Sequence, residues 1–189
     1  KRERPALADE VSGGDQTPGS VLESPPADVG GDDLYAEFGV GGARIHACRL
    51  LDAHARPLHV QTHAQQVSLV VDCVAYERLE SPIVGFYIKD RLGQPVCGFN
   101  SIRWVDDWQQ LVPGEPARVA FSFWLPQLAT GEYAITVALA AGTQEQHVQH
   151  HWIHEAIAFK AQTDPHLSGL FTLEKIECAV SPIQTAHTS

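Results

Sequence analysis

Apolar and polar residues alternate along several short segments of this chain, and this alternation constrains the fold more than any other feature of the sequence. In the segments 67–75, 84–88, 119–125 and 133–139, every second residue is apolar. Successive side chains of a β-strand point to opposite faces, so each segment predicts a strand with one face in a core. Turn residues separate the segments at the short intervals typical of a β-sandwich.

No long helical pattern interrupts these segments, and strands without crossover helices need a second sheet to cover their apolar faces. We therefore predict an all-β fold, an immunoglobulin-like and jelly-roll-like antiparallel β-sandwich, over residues 43–180. Later strands are expected at 158–162 and 169–179. We interpret 147–157 as a short helix or an irregular connection, with Trp152, Ile153 and Ile157 as its apolar anchor.

The first 42 residues differ from the rest because proline, glycine and acidic residues dominate them without a sustained apolar period. This composition predicts a flexible, largely disordered linker. Within it, three nearby apolar residues favour one short turn or strand inside 32–38. The chain has no methionine and begins with lysine, so we expect a fragment of a larger protein. Residues 181–189 are predicted to be a C-terminal tail.

The charge of the chain is acidic but unevenly placed. Residues 1–38 hold nine acidic and three basic side chains and so carry −6 of the formal net charge of −10. The predicted sandwich is therefore nearly balanced, and the overall acidity says little about its ligand. No basic patch is available for a nucleic acid or an anionic membrane surface, so neither is expected as a partner.

Four histidines between positions 147 and 154 are the most enzyme-like feature. On a helix their spacing would put the imidazoles on one face, where they could hold a transition metal. The neighbouring glutamines favour a solvated connection instead, and no cysteine lies in the segment. The chain also lacks a phosphate loop, a nucleophile elbow and an HExxH motif. We expect no catalysis and no cofactor, with a metal-dependent enzyme as the minor alternative.

Three of the four tryptophans lie between residues 100 and 124, among amide, acidic and basic side chains. An aromatic ring packs against the C–H side of a pyranose, while amide, carboxylate and guanidinium groups bind its hydroxyls. This mixture predicts a carbohydrate-binding site. The candidate contacts are Tyr87, Asn100, Ser101, Arg103, Trp104 and Trp124.

Alternation also predicts which side chains point away from the core. Phe121 and Phe123 occupy the core side of their strand, so Trp124 should project outward, as Tyr87 should from its own strand. An outer surface that carries tryptophan and tyrosine is either a ligand platform or a subunit contact, which leaves a structural dimerisation domain as a second alternative. Small outward residues in 134–140 would make that surface shallowly concave, which favours an extended or terminal glycan.

Four groups of residues, taken in order, resemble a known family. They are Ala43-Arg44-Ile45 with Leu50-Leu51-Asp52; 82–91 followed by Gly93 and 96–101; Leu125-Pro126 with Gly131-Glu132-Tyr133 and Val137-Ala138-Leu139; and His151-Trp152-Ile153 ahead of Phe159, with Gly169-Leu170-Phe171 near the end. In this order the chain resembles the C-terminal carbohydrate-binding domain of Wzt-type ATP-binding subunits, which belong to ABC transporters that export O-antigen polysaccharide.

The resemblance implies a β-sandwich joined by a linker to a nucleotide-binding domain, where ATP hydrolysis would occur. It implies recognition of the non-reducing end of an O-polysaccharide, its terminal residue or cap, which gives the exporter its selectivity. It further implies association with the membrane subunit at the cytoplasmic face of the inner membrane, and a homodimer that can exchange its last strand. Binding side chains vary with the glycan in this family, so the candidate contacts rest on composition and alternation.

Overall fold

A computed structural model of the chain describes residues 37–103, 108–163 and 169–172, and these residues form an almost pure β structure. The described part contains one helical turn, a 3-10 turn at Ser101–Arg103. The strands are β1 (Glu37–Phe38), β2 (Ala43–Asp52), β3 (Val60–Gln61), β4 (Gln65–Ala75), β5 (Leu79–Glu80), β6 (Pro82–Asp90), β7 (Pro95–Asn100), β8 (Gln110–Leu111), β9 (Pro116–Leu125), β10 (Gly131–Gly142) and β11 (His147–Ala161).

The strands form two main sheets that pack face to face. The six-stranded sheet has the order β1-β11-β10-β6-β7, with β3 joining β11 in parallel, and the three-stranded sheet has the order β2-β4-β9. All other pairings in these two sheets are antiparallel. A separate ladder pairs β5 with β8. The predicted all-β antiparallel sandwich is therefore confirmed.

The core lies between the two sheets and is filled by the alternating residues identified in the sequence. The ring of Phe86 from the six-stranded sheet lies 5.1 Å from that of Phe121 and 5.5 Å from that of Phe123, both from the three-stranded sheet. Around this contact, Leu69, Ile88, Ile135 and other aliphatic side chains are fully buried. Strand alternation thus predicts the inward residues of β4, β6, β9 and β10 correctly.

Aspartates at two strand ends close the turns that follow. Asp90 accepts hydrogen bonds from the backbone N–H groups of Leu92 and Gln94, which joins β6 to β7 where a turn is predicted. Asp52 plays the same part after β2, and the backbone N–H and guanidinium of Arg56 lower its pKa to about 2. Side-chain capping of this kind satisfies backbone donors that a tight turn leaves unpaired.

The largest difference from the sequence prediction concerns β11. The helix or irregular connection predicted for 147–157 is wrong, because a single strand of 15 residues runs through it and pairs with β10. The register shifts twice along this pairing, between Ile135 and Val137 and between Leu139 and Ala140. The first shift places two extra residues in β11 and keeps its alternation, whereas the second places one and exchanges inward for outward positions, so one alternation does not run through the whole strand.

The N-terminal end of the described residues contributes a short edge strand. Glu37 and Phe38 form β1 and pair with Ile153 and Trp152 of β11, where the sequence favours a turn or strand inside 32–38. Residues 1–36 of the predicted linker, the predicted tail and most of the predicted final strand lie outside the described residues. The boundary between linker and sandwich at residue 42 stays a prediction.

Replacement of Phe86 by alanine should destabilise the sandwich by about 3–5 kcal/mol, because it removes the aromatic contact between the two sheets and leaves a cavity. Phe99 is the matched control, since it pairs with Phe86 on β7 but is 56% exposed. Phe99→Ala should cost about 1 kcal/mol. Urea unfolding followed by circular dichroism measures both variants, and equal losses would contradict the role given to Phe86.

Candidate functional site

The outer surface of the six-stranded sheet carries a groove of about 290 Å³. One row of paired residues crosses it from strand to strand, namely Asn100, Gly85, Ala138, Trp152 and Phe38. Glycine and alanine occupy the middle of this row, while large side chains stand at its ends. The groove therefore has a low floor of small residues between two walls.

The first wall is aromatic: Tyr87 and Trp152 line the groove, and the rings of Phe38 and His154 contact Trp152. The Trp152 ring stacks on Phe38 at a centroid distance of 5.6 Å, and it lies 5.9 Å from His154 and 6.3 Å from Tyr87. Phe38 and Tyr87 remain 51% and 44% exposed. Exposed aromatic rings held in contact with one another offer a ligand a firm apolar surface.

The second wall is made of side-chain amides. The Asn100 Nδ2 donates a hydrogen bond to the Gln144 Oε1 at 2.8 Å, which fixes both amides beside the floor. The Nε2 of Gln149 donates to the carbonyl oxygens of Leu139 and His151, also at 2.8 Å. With both of its N–H donors used, Gln149 presents its oxygen as an acceptor.

Gly98 is required for the position of Tyr87. The two residues are cross-strand partners on β7 and β6, and a Cβ atom at position 98 would lie 2.4 Å from the Cδ1 of Tyr87. The absence of a side chain at Gly98 allows the tyrosine ring to lie across the neighbouring strand. The position of Tyr87 in the aromatic wall thus depends on the glycine at position 98.

A buried histidine holds β1, and with it Phe38, against the sheet. The N–H of Ile45 donates to the Nδ1 of His151 at 3.0 Å, so the proton of the neutral ring lies on Nε2. That Nε2 lies 3.1 Å from the Oε2 of Glu37 and donates to it. His151 therefore connects three strands, namely β2, β11 and β1.

The structure brings together two of the six predicted contacts. Tyr87 and Asn100 both line the groove. Ser101 is only 2% exposed, and its Oγ accepts a hydrogen bond from the Val84 N–H at 3.1 Å, so it supports the fold rather than a ligand. The backbone of Arg103 ends the 3-10 turn after β7, and Trp104 lies outside the described residues.

Trp124 is exposed as predicted, but it lies on the opposite side of the molecule. It belongs to β9, and because Phe123 points into the core toward Phe86, Trp124 projects from the outer surface of the three-stranded sheet. It cannot share a groove with Tyr87. Alternation correctly predicts which side chains of this strand point inward and which point outward, but it does not say which sheet the strand joins.

The sequence prediction missed Trp152 and Gln149, which line the groove, and also Phe38 and His154, whose rings contact Trp152. Trp152 was expected to anchor a connection in the core, yet it forms the centre of the aromatic wall. The missed signal is the length of 147–161, which has polar residues throughout but no glycine or proline. A stretch of 15 residues without a breaker is compatible with one long strand.

The histidine segment does not form a metal site in the described residues. The helical face that the metal hypothesis required is absent, because β11 is a strand; His150 and His151 are buried, whereas His147 is exposed. Among residues 37–103, 108–163 and 169–172, no group of three or more His, Cys, Asp or Glu side chains could hold a metal ion.

Comparison with known proteins agrees with the fold and with the sequence motifs. The family model described as the Wzt C-terminal domain matches residues 35–173. The crystal structure of the C-terminal domain of Wzt is similar, with a TM-score of 0.67 and 20% sequence identity over 76% of this chain and 87% of that chain. The chain therefore belongs to the Wzt C-terminal domain family. The resemblance found in the sequence is confirmed.

A more distant structural match is a Niemann-Pick type C2 protein from the Japanese carpenter ant. It has a TM-score of 0.46 and 7% identity, and covers 69% of this chain and all of that chain. This similarity carries no functional argument. No curated protein sequence matches the chain. The described part of the chain contains no helix long and apolar enough to cross a membrane.

Replacement of His151 by phenylalanine should release β1 from the sheet. The change leaves the buried N–H of Ile45 without an acceptor, which costs about 1–3 kcal/mol. Amide hydrogen exchange should become faster at Ile45, and at Val40 and Gly41, whose N–H groups donate to β11 carbonyls. The exposed His147→Phe is the control. Unchanged exchange at Ile45 in the His151 variant would contradict this role.

Proposed function

We propose that this domain binds an O-antigen polysaccharide in the groove on the six-stranded sheet. The observation that carries the proposal is the arrangement of the aromatic wall opposite the amide wall across a floor of small residues. Membership of the Wzt C-terminal domain family supports the same conclusion. The proposed contacts are Phe38, Tyr87, Asn100, Gln144, Gln149 and Trp152.

The two walls fit the two kinds of surface that a sugar offers. Trp152 and Tyr87 would pack against the C–H side of a pyranose, where apolar burial provides the affinity. Asn100 and Gln149 would hydrogen-bond the hydroxyls and fix the orientation of the ring. The floor at Gly85 and Ala138 leaves room for the sugar because glycine has no side chain and alanine has only a methyl group.

We propose that the groove receives the non-reducing end of the glycan. Its volume of about 290 Å³ lies at the lower limit of small-ligand sites, which suits a terminal sugar or its cap. Selection at this end would let the exporter recognise a finished chain. The domain would act by binding alone, while ATP hydrolysis would belong to the nucleotide-binding part of the subunit, beside the membrane subunit at the inner face of the membrane.

We also propose that the domain forms a homodimer at the free edge of β9. Among the described residues no strand pairs with that edge, and the inward-pointing Phe121 and Phe123 are only half-buried there. Just beyond β9, the Ala129 N–H donates to the carbonyl of Leu170, and the Thr172 N–H donates to that of Gln127. A strand exchanged between two copies would cover both phenylalanines and complete the sheet.

Alanine at Trp152 or at Tyr87 should weaken binding of the cognate O-polysaccharide by about tenfold or more, because each variant removes an aromatic surface. Isothermal titration calorimetry measures the change. Trp124→Ala is the control, since it removes a tryptophan that is more exposed than Trp152 from the opposite sheet and should leave Kd unchanged.

Two results would contradict the proposed function. An unchanged affinity in Trp152→Ala and Tyr87→Ala would exclude the groove as the site. Equal affinity for the cognate polysaccharide and an unrelated one would exclude a role in selection. Unfolding transitions of each variant should be recorded in parallel, so that a lost site is distinguished from a lost fold.

A chain that ends at Thr172 should be monomeric, whereas the 189-residue chain should be a dimer, because the truncation removes everything that could be exchanged across β9. Light scattering coupled to size-exclusion chromatography, at about 100 µM protein, gives both masses. A truncated chain that remains a dimer would contradict strand exchange. A full chain that is a monomer at this concentration would contradict the dimer itself.

A further inference from the structure

A second and larger cleft lies farther along the outer surface of the six-stranded sheet. Its volume is about 760 Å³, and it shares no lining residue with the proposed sugar-binding groove. One row of paired residues, Lys89, Ala134 and Ala158, crosses this charged cleft on β6, β10 and β11. Two alanines beside one lysine repeat the plan of the groove, with a low floor next to a long side chain.

The groove and the charged cleft are neighbours with a common boundary. His154 lines the cleft, and its ring contacts Trp152, which lines the groove. Along β6 the row of Gly85 and the row of Lys89 are four residues apart, which is about 13 Å at the usual rise of a strand. This separation exceeds one sugar ring, so a single sugar cannot occupy both sites.

Three charged side chains that line the cleft already have partners within the fold. Lys160 pairs with Glu132 at 3.0 Å, and Asp90 accepts the turn N–H groups of Leu92 and Gln94. The side chains of Lys89, Arg91 and Glu155 also line the cleft, and they form no hydrogen bond or ion pair with the described residues. Lys89 is half-buried, with its aliphatic stem beside the small residues of the floor and its ammonium group available at the surface of the cleft.

We propose that the charged cleft is a second saccharide subsite, which binds the sugar units next to the one held in the groove. Lys89 and Arg91 would donate hydrogen bonds to sugar oxygens, and the Glu155 carboxylate would accept them from hydroxyl groups. Donors and an acceptor of opposite charge in one cleft suit a ligand rich in hydroxyls. The inference rests on the proposed function, and it extends recognition from one terminal sugar to a short sequence of sugars.

The test compares ligands of different length. Mono-, di- and tetrasaccharides that retain the non-reducing end are prepared by partial hydrolysis of the O-polysaccharide from the cells that encode this chain. They are titrated into the 189-residue protein by NMR, which measures weak affinities and reports on individual amides. The wild-type protein should bind the tetrasaccharide at least about tenfold more tightly than the monosaccharide. Amides near Lys89 should shift only with the longer ligand.

The double variant Lys89→Ala/Glu155→Gln should keep the affinity for the monosaccharide but lose the increase in affinity that the wild-type protein shows with the tetrasaccharide. The control Arg78→Ala/Glu80→Gln makes the same charge changes at exposed positions that line neither site, and it should keep the gain. The second subsite would be overturned if the wild-type protein bound the tetrasaccharide no more tightly than the monosaccharide. It would also be overturned if the double variant kept the full increase in affinity. Failure of the monosaccharide to bind would overturn the groove instead, and the subsite with it.

Discussion

The whole structure depends on the two different faces of β10. Its inward residues, Tyr133, Ile135, Val137 and Leu139, are buried and fill the core, while the outward residues at 134, 136, 138 and 140 are alanine and threonine. Large side chains on one face hold the sheets together, and small ones on the other leave room above the strand. Because β10 lies between β11 and β6, the same sequence that stabilises the sandwich also forms the floor of both recessed surfaces.

A few polar groups decide how the surrounding strands are placed. His151 is buried and satisfied at both ring nitrogens, and its position fixes β1 and β2 relative to β11. Thr136 acts similarly on β10, since its hydroxyl donates to the carbonyl of His154 where the register of the two strands shifts. Buried polar groups of this kind add specificity because a misplaced strand would leave them unpaired.

The sequence predicts the fold well because strand alternation is a local property. Residues 67–75 and 119–125 need only their own pattern to show which side is buried, and the structure agrees. The site is harder because it depends on strand order, which is not local. Tyr87 and Trp124 have the same outward pattern, yet pairing to different sheets places them on opposite surfaces. The outward position of Trp152 was missed for a related reason, since the register shifts of β11 follow from its pairing with β10.

The stacking of Phe38 on Trp152 has a mechanical consequence. Phe38 belongs to a strand of only two residues, so few contacts resist a force applied at Glu37. A ligand that packs against Trp152 would also bear on Phe38 and so help to keep β1 docked. Since such coupling is reciprocal, tension that peels β1 away would loosen the bound sugar by the same free energy. A pulling force on β1 and dissociation of the ligand would therefore be coupled at this edge of the domain.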